Sequence, residues 1–218
     1  MGYFITFEGV EGCGKTTQIK LLSDFLTTRG VRTLLTREPG GCPIADKIRA
    51  ILLDAENRAM LPLAELMLYA AARAQHVGEI IAPALSEGKV VLCDRFCDAT
   101  VAYQSFGRGI DRNVISTLNL QACQGVTPDL TVLIDCDPGV GLGRARSRID
   151  ATSGPREERF ELEELAFHQR VRAGYLQLAT EQPDRFLIIN GADTIDAIYA
   201  AIVNLVLPRI PEALSAVC

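Results

Sequence analysis

Eight residues constrain this chain more than any others: Gly9-Val10-Glu11-Gly12-Cys13-Gly14-Lys15-Thr16. They fit G-x-x-x-x-G-K-[ST], the phosphate-binding P-loop. The flanks supply the context that this motif needs. Before it, Tyr3-Phe4-Ile5-Thr6-Phe7 is apolar and β-prone, ends at Glu8, and reads as a buried strand. After it, Ile19, Leu22, Phe25 and Leu26 recur at helical spacing, which predicts a helix from about Lys15. Strand, glycine loop and helix in succession place backbone N–H groups and a helix N-terminus around an anion. Glycine lets the backbone wrap that anion without Cβ clashes. Lys15 would reach the β/γ-phosphates, the Thr16 hydroxyl would hold Mg²⁺, and Thr17 continues the loop into the helix. A chance glycine-rich turn would not bring the strand, the helix and the Lys-Thr pair together. The stretch implies nucleoside-triphosphate binding, and the fate of the γ-phosphate has to be read elsewhere.

The rest of the chain decides what kind of protein carries the loop. Its 218 residues are enough for one domain with a full core, and 48% hydrophobic content suits a globular protein. A net charge of −5 speaks against a general nucleic-acid binder. No apolar run is long enough to span a bilayer, and the immediate entry into strand and P-loop leaves no room for a signal peptide. The seven cysteines are odd in number and irregular in spacing, so a reduced, intracellular protein is expected. Cys13 reads as a bystander within the loop, with reactivity as the alternative.

Further strands are predicted at Arg32 to Arg37, Val90 to Asp94, Val132 to Asp135 and Leu187 to Ile189. Helices are predicted at Ile44 to Leu53, Leu61 to Leu85 (one long or two abutting), Val114 to Cys123, Val140 to Arg148, Leu162 to Thr180 and Ile195 to Leu207. Alternation of strands and helices means an α/β fold with a parallel sheet. The polar segment from Ile149 to Glu158 carries Gly154 and Pro155, and its basic neighbours make it a lid candidate, with the lid taken as about 144–160.

In such sheets, ligands bind outside the carboxyl ends of the strands. Glu8, Arg37-Glu38, Asp94-Arg95 and Asp135 all fall there. An acid at a strand end near a P-loop holds Mg²⁺, usually through water, and a neighbouring arginine bridges phosphates, so Asp94 and Arg95 are site candidates; the bland reading is a surface ion pair. Asp135 stands between a second metal-holding acid and a cap for the helix after Pro138. Arg144, Arg146, Arg148, Arg156 and Arg159 form a basic stretch, read either as a closing lid or as a solvated face paired with Glu157, Glu158 and Glu161. Tyr69 and Arg73 share one helix face, as a base-holding pair or as core. His76 and His168 have no metal-like partners and read as structural.

These pieces, in this order, resemble the bacterial thymidylate kinases. The resemblance covers Phe4 to about Val206 and rests on the P-loop with Glu8 and Thr17, Thr36-Arg37-Glu38-Pro39-Gly40-Gly41, Tyr69 to His76, Asp94-Arg95, Ala102-Tyr103-Gln104, Gly107-Arg108-Gly109 and Pro128-Asp129-Leu130. It implies one P-loop nucleoside-monophosphate-kinase-like domain over 1–218, a three-layer sandwich with a five-stranded parallel sheet and helices on both faces. It further implies ATP and dTMP as substrates, Mg²⁺ as cofactor, no nucleic-acid or membrane partner, and a cytoplasmic homodimer. Arg73 and Thr100 would read the thymine edge with Gln104 beside them, and Tyr69, where the family more often has Phe, would stack on the ring. Glu11 and Tyr103 would lie near the deoxyribose 3′-hydroxyl, and Arg37, Arg49 and Arg95 would hold the dTMP phosphate. Pro39 would follow a cis peptide bond in a tight loop near the substrate. The P-loop positions Val10, Glu11, Gly12 and Cys13 include no base. That matches members whose catalytic arginine sits in the lid, with Arg159, ahead of Arg156, as the donor. Two rivals stay open: a kinase of the same fold with another acceptor, and a P-loop switch whose function is binding.

Overall fold

The computed structural model describes residues 2–150 and 158–215. At its centre, β1 (Tyr3–Glu8) lies buried between two parallel neighbours, β3 (Val90–Asp94) and β4 (Leu130–Asp135). With β2 (Thr33–Arg37) and β5 (Phe186–Asn190) at the edges, the sheet order is β2-β3-β1-β4-β5, all parallel, as expected. Register puts Arg37, Asp94 and Phe7 in one row. The charged residues that end β1, β2 and β3 therefore emerge at one edge of the sheet. Side chains alternate across it. Ile5 and Phe7 join Val132, Ile134 and Leu22 on one face, while Phe4 joins Val91, Cys93 and Phe96 on the other.

The P-loop leads into α1 (Lys15–Thr28), whose N-cap Gly14 has φ 101. Proline in the first turn opens both α2 (Pro43–Leu53) and α3 (Pro62–His76), where the missing N–H costs nothing. The helix predicted over Leu61 to Leu85 is one run in three parts. A wider π segment at Val77–Ile81 joins α3 to α4 (Ala82–Ser86). A helical stretch without a periodic signature follows β3: α5 (Cys97–Thr100) runs into a second π segment, Val101–Gly107. Ala102, Tyr103 and Gln104 are all buried there, so no polar face alternates with an apolar one.

Next come α6 (Arg112–Cys123), α7 (Pro138–Asp150), α8 (Leu165–Glu181) and α9 (Ile195–Val206). The cap of α7 corrects the expectation for Asp135. Asp137 Oδ1 accepts from the backbone N–H of Gly139 at 2.9 Å, whereas Asp135 forms a two-bonded pair with Arg172. The capping oxygen has to sit just before the first turn, and Asp137 occupies that place.

Candidate active site

Gly12 has φ 66, and a Cβ on it would collide with the carbonyl oxygen of Gly141 at the start of α7, so the loop needs glycine there for both reasons. Around Gly14 nothing lies within 4 Å of a Cβ position, leaving the mouth of the loop open. Lys15 Nζ donates to the carbonyls of Gly9 at 3.0 Å and Val10 at 2.9 Å, curling over the loop. Thr16 Oγ1 donates to Asp94 Oδ2 at 2.9 Å, so the two residues expected to hold the metal converge. Among the described residues no group of three or more His, Cys, Asp or Glu could hold a metal ion. The hydroxyl–carboxylate pair instead fits a hard cation that keeps waters and phosphate oxygens as its other ligands.

Arg95 follows β3 in the left-handed region, φ 71, and turns its side chain back under the P-loop. Its Nη1 donates to Gly9 O at 3.0 Å and to Tyr175 OH at 3.1 Å, and its Nη2 to Glu11 Oε1 at 3.1 Å. Tyr103 OH donates to the same Glu11 oxygen. His168 Nδ1 lies 3.0 Å from Glu11 Oε2, close enough for an ion pair but poorly aligned for a hydrogen bond. Burial would raise the Glu11 carboxyl, but Arg95, His168 and Lys15 outweigh it and hold the group at about 2. Beneath lies Glu8, fully buried, accepting from Phe96 N at 2.7 Å and Tyr175 OH at 2.8 Å. Burial, with repulsion from Asp98, pushes Glu8 up to about 8.

The other end of the cleft is built on α3. Arg73 spends all three nitrogens: Nε on Glu38 at 2.8 Å, Nη1 on Asn119 at 2.7 Å and Nη2 on Thr100 Oγ1 at 2.9 Å. Glu38 also faces His76 Nδ1 at 3.0 Å and is followed by a cis bond to Pro39, as expected. Arg37 and Arg49 flank Gly40, each 3.5 Å from where a Cβ would stand, and Arg49 donates to Pro39 O at 3.0 Å. Tyr69 is half-buried opposite Phe160, ring centroids 6.4 Å apart.

One cleft of about 1620 Å³ unites these groups. That exceeds the roughly 300–1,000 Å³ of an ordinary small-molecule site and leaves room for two nucleotides. It is lined by Glu11 to Thr17, Arg37, Pro39, Arg49, Tyr69, Arg73, Asp94, Arg95, Thr100, Tyr103 and Gln104. Gly9 and Val10 lie behind it, their carbonyls turned to Lys15. Arg156 is outside the described residues. Arg159 is not in the cleft. It is 5% exposed, donates Nη1 to Glu65 Oε2 at 2.6 Å and Nε to Leu52 O, and lines a separate pocket with Arg58 and Arg108. Arg159, expected to move inward as the lid's arginine on closure, is held in this structure by Glu65, 94 residues earlier. Arg146 is held by Glu161 O, and Arg144, bonded to Gly191 O at 3.4 Å, lines the cleft near Asp193 and Thr194. Sequence reading passed over Glu65, Asn119 and Tyr175. Glu65 shares the helix face of Tyr69 and Arg73, a signal that was available; Tyr175 gave none.

A parallel sheet with a P-loop at its carboxyl edge, a converging Thr-Asp pair and an arginine-rich far end of the same cleft define a P-loop phosphotransferase. The family model for thymidylate kinase matches residues 7–202. A thymidylate kinase of Trichlorobacter lovleyi is 68% identical over 207 residues, 95% of this chain and 98% of that protein, and one of Geobacter sulfurreducens is 60% identical over 212 residues, 97% and 100%. The crystal structure of thymidylate kinase from Ehrlichia chaffeensis superposes with a TM-score of 0.76 at 34% identity, covering 94% of this chain and 98% of that one. The chain belongs to the thymidylate kinase family.

Proposed function

We infer that this protein transfers the γ-phosphoryl group of ATP to dTMP, giving ADP and dTDP. The observation that carries the reading is the single cleft with two unlike ends, Lys15 and Thr16 at one and Tyr69, Arg73 and Thr100 at the other, joined by the Arg95–Glu11 pair. The P-loop amides and Lys15 would cradle the donor phosphates. Thr16 and Asp94 would hold Mg²⁺, which supplies neutralising charge at the β- and γ-phosphates. Arg37, Arg49 and Arg95 would orient the dTMP phosphate, Glu11 and Tyr103 the sugar, and Arg73, Thr100 and Gln104 the base, with Tyr69 against the ring. The attacking phosphate oxygen is already ionised at neutral pH, so no general base is needed, and catalysis is positioning plus charge neutralisation. No cleft role is assigned to Arg159, which would first have to leave Glu65. Arg144, beside Asp193 and Thr194, suits the outer end of the donor nucleotide.

Lys15→Ala should fold normally and lose detectable dTMP-dependent ADP formation in a coupled assay. Turnover near wild type would remove the P-loop from the mechanism. A homodimer, as the family resemblance implies, is supported by exposed Ile44 and Ile51 on α2, Leu63 and Met67 on α3 and Leu120 on α6, three helices that pack side by side. Among the described residues no helix is long and apolar enough to cross a membrane, and the family resemblance favours the cytoplasm as the site of action.

A further inference from the structure

Glu65 stands on α3 four residues before Tyr69 and eight before Arg73, on the helix face that meets the base end of the cleft. It is 1% exposed. Its Oε1 accepts from Gln104 Nε2 at 2.9 Å and Arg108 Nε at 3.2 Å, and its Oε2 from Arg108 Nη2 at 3.2 Å and Arg159 Nη1 at 2.6 Å. A carboxylate held by arginines only accepts. The Gln104 amide therefore has one orientation, with its NH₂ toward Glu65 and its carbonyl Oε1 turned away. Gln104 lines the cleft beside Tyr69, Arg73 and Thr100. Thr100 Oγ1 already accepts from Arg73, so its hydroxyl hydrogen is free to donate. Arg73 has five N–H groups and three are engaged, so the base end offers the second N–H of its Nη1 and Nη2 and the Thr100 hydroxyl as donors, and an acceptor from Gln104. Thymine presents the complement, an acceptor O4 beside a donor N3–H. Cytosine presents the reverse, a donor N4 amine beside an acceptor N3.

We propose that Glu65 is a positioning residue that sets base selectivity: it locks the Gln104 amide with its carbonyl toward the base, which admits a pyrimidine that donates at N3 and turns away one that accepts there. The proposal rests on the dTMP kinase reading and names a determinant of its specificity.

The test compares kcat and KM for dTMP and dCMP in the wild type, Glu65→Gln, Gln104→Met, the double variant and Arg108→Gln, with a thermal melt of each. A glutamine at position 65 both donates and accepts, so the Gln104 amide is free to flip. The preference for dTMP over dCMP should fall about tenfold in Glu65→Gln, carried by the KM for dTMP. The double variant should lose no more preference than Gln104→Met alone, because Glu65 acts through that amide. Arg108→Gln removes another partner of Glu65 and should lower the melting temperature while leaving the preference within about twofold. A folded Glu65→Gln with wild-type preference overturns the proposal. Failure of the wild type to phosphorylate dTMP would instead strike the parent reading, and the wild-type arm tells the two apart.

Discussion

At the scale of single residues, two buried acids one strand-end apart have been driven in opposite directions. Glu11, with Arg95, His168 and Lys15 around it, is held at about 2, and Glu8, with burial and Asp98 against it, is pushed up to about 8. Their effects on stability have opposite signs. Glu11 is stabilising above its ordinary value near 4.5, and that contribution is lost as pH falls toward 2. Glu8 binds its proton more tightly folded than unfolded, so its native state is penalised progressively as pH rises from 4.5 to about 8. Glu8→Gln keeps acceptor and shape without the charge, and should flatten the decline in melting temperature between those pH values, gaining on the order of a few kcal/mol at pH 8. A wild-type and variant pair whose melting temperatures stay parallel from pH 5 to 9 would show that Glu8 does not titrate in that window. Neither behaviour was legible in the sequence, where Glu8 is only an acid at a strand end. The opposing fields come from Arg95, Asp98, His168 and Tyr175, brought in by other elements.

At the scale of elements, long helices were legible because each buries one apolar face at its own period, and the central strands because they are short apolar runs buried on both faces. The stretch Val101–Gly107 was not, because it is buried on more than one side and carries Tyr103 and Gln104 inward. The P-loop and the Tyr69–Arg73 pair could be read because their geometry is local. The fate of Arg159 could not, because its partner stands on another helix. The Glu65–Arg159 pair ties α3 to the chain that leads into α8, and Phe160 stacks beneath the same guanidinium, 4.5 Å from ring centroid to Cζ. Arg159→Ala should accordingly act through stability, costing about 3 kcal/mol because a buried carboxylate loses one of its two arginines, and through the KM for dTMP. A variant with unchanged melting temperature but kcat lowered by orders of magnitude would contradict this and restore Arg159 as a transition-state cation.

At the scale of the whole molecule, the sheet order places β1 between β3 and β4, and everything chemical gathers where their carboxyl ends meet. One exposed apolar set, Ile44 and Ile51 on α2, Leu63 and Met67 on α3 and Leu120 on α6, lies away from that cleft. Met67→Glu, at the middle of that surface, should convert a dimer to a monomer in light scattering at micromolar concentration; a wild type already monomeric there would remove the dimer from the account. Because α3 carries Glu65, Tyr69 and Arg73 on one side and Met67 on the other, assembly would brace the base pocket from behind. The central claim is that one cleft joins ATP to a thymine nucleotide. It is tested most directly by ADP formation across a panel of dTMP, dUMP, dGMP and dCMP. The account predicts dTMP first, dUMP poorer by roughly 1–3 kcal/mol for the missing methyl, and little turnover with the others. ATP turnover that ignores the added nucleotide, or a panel led by dGMP or dCMP, would contradict it.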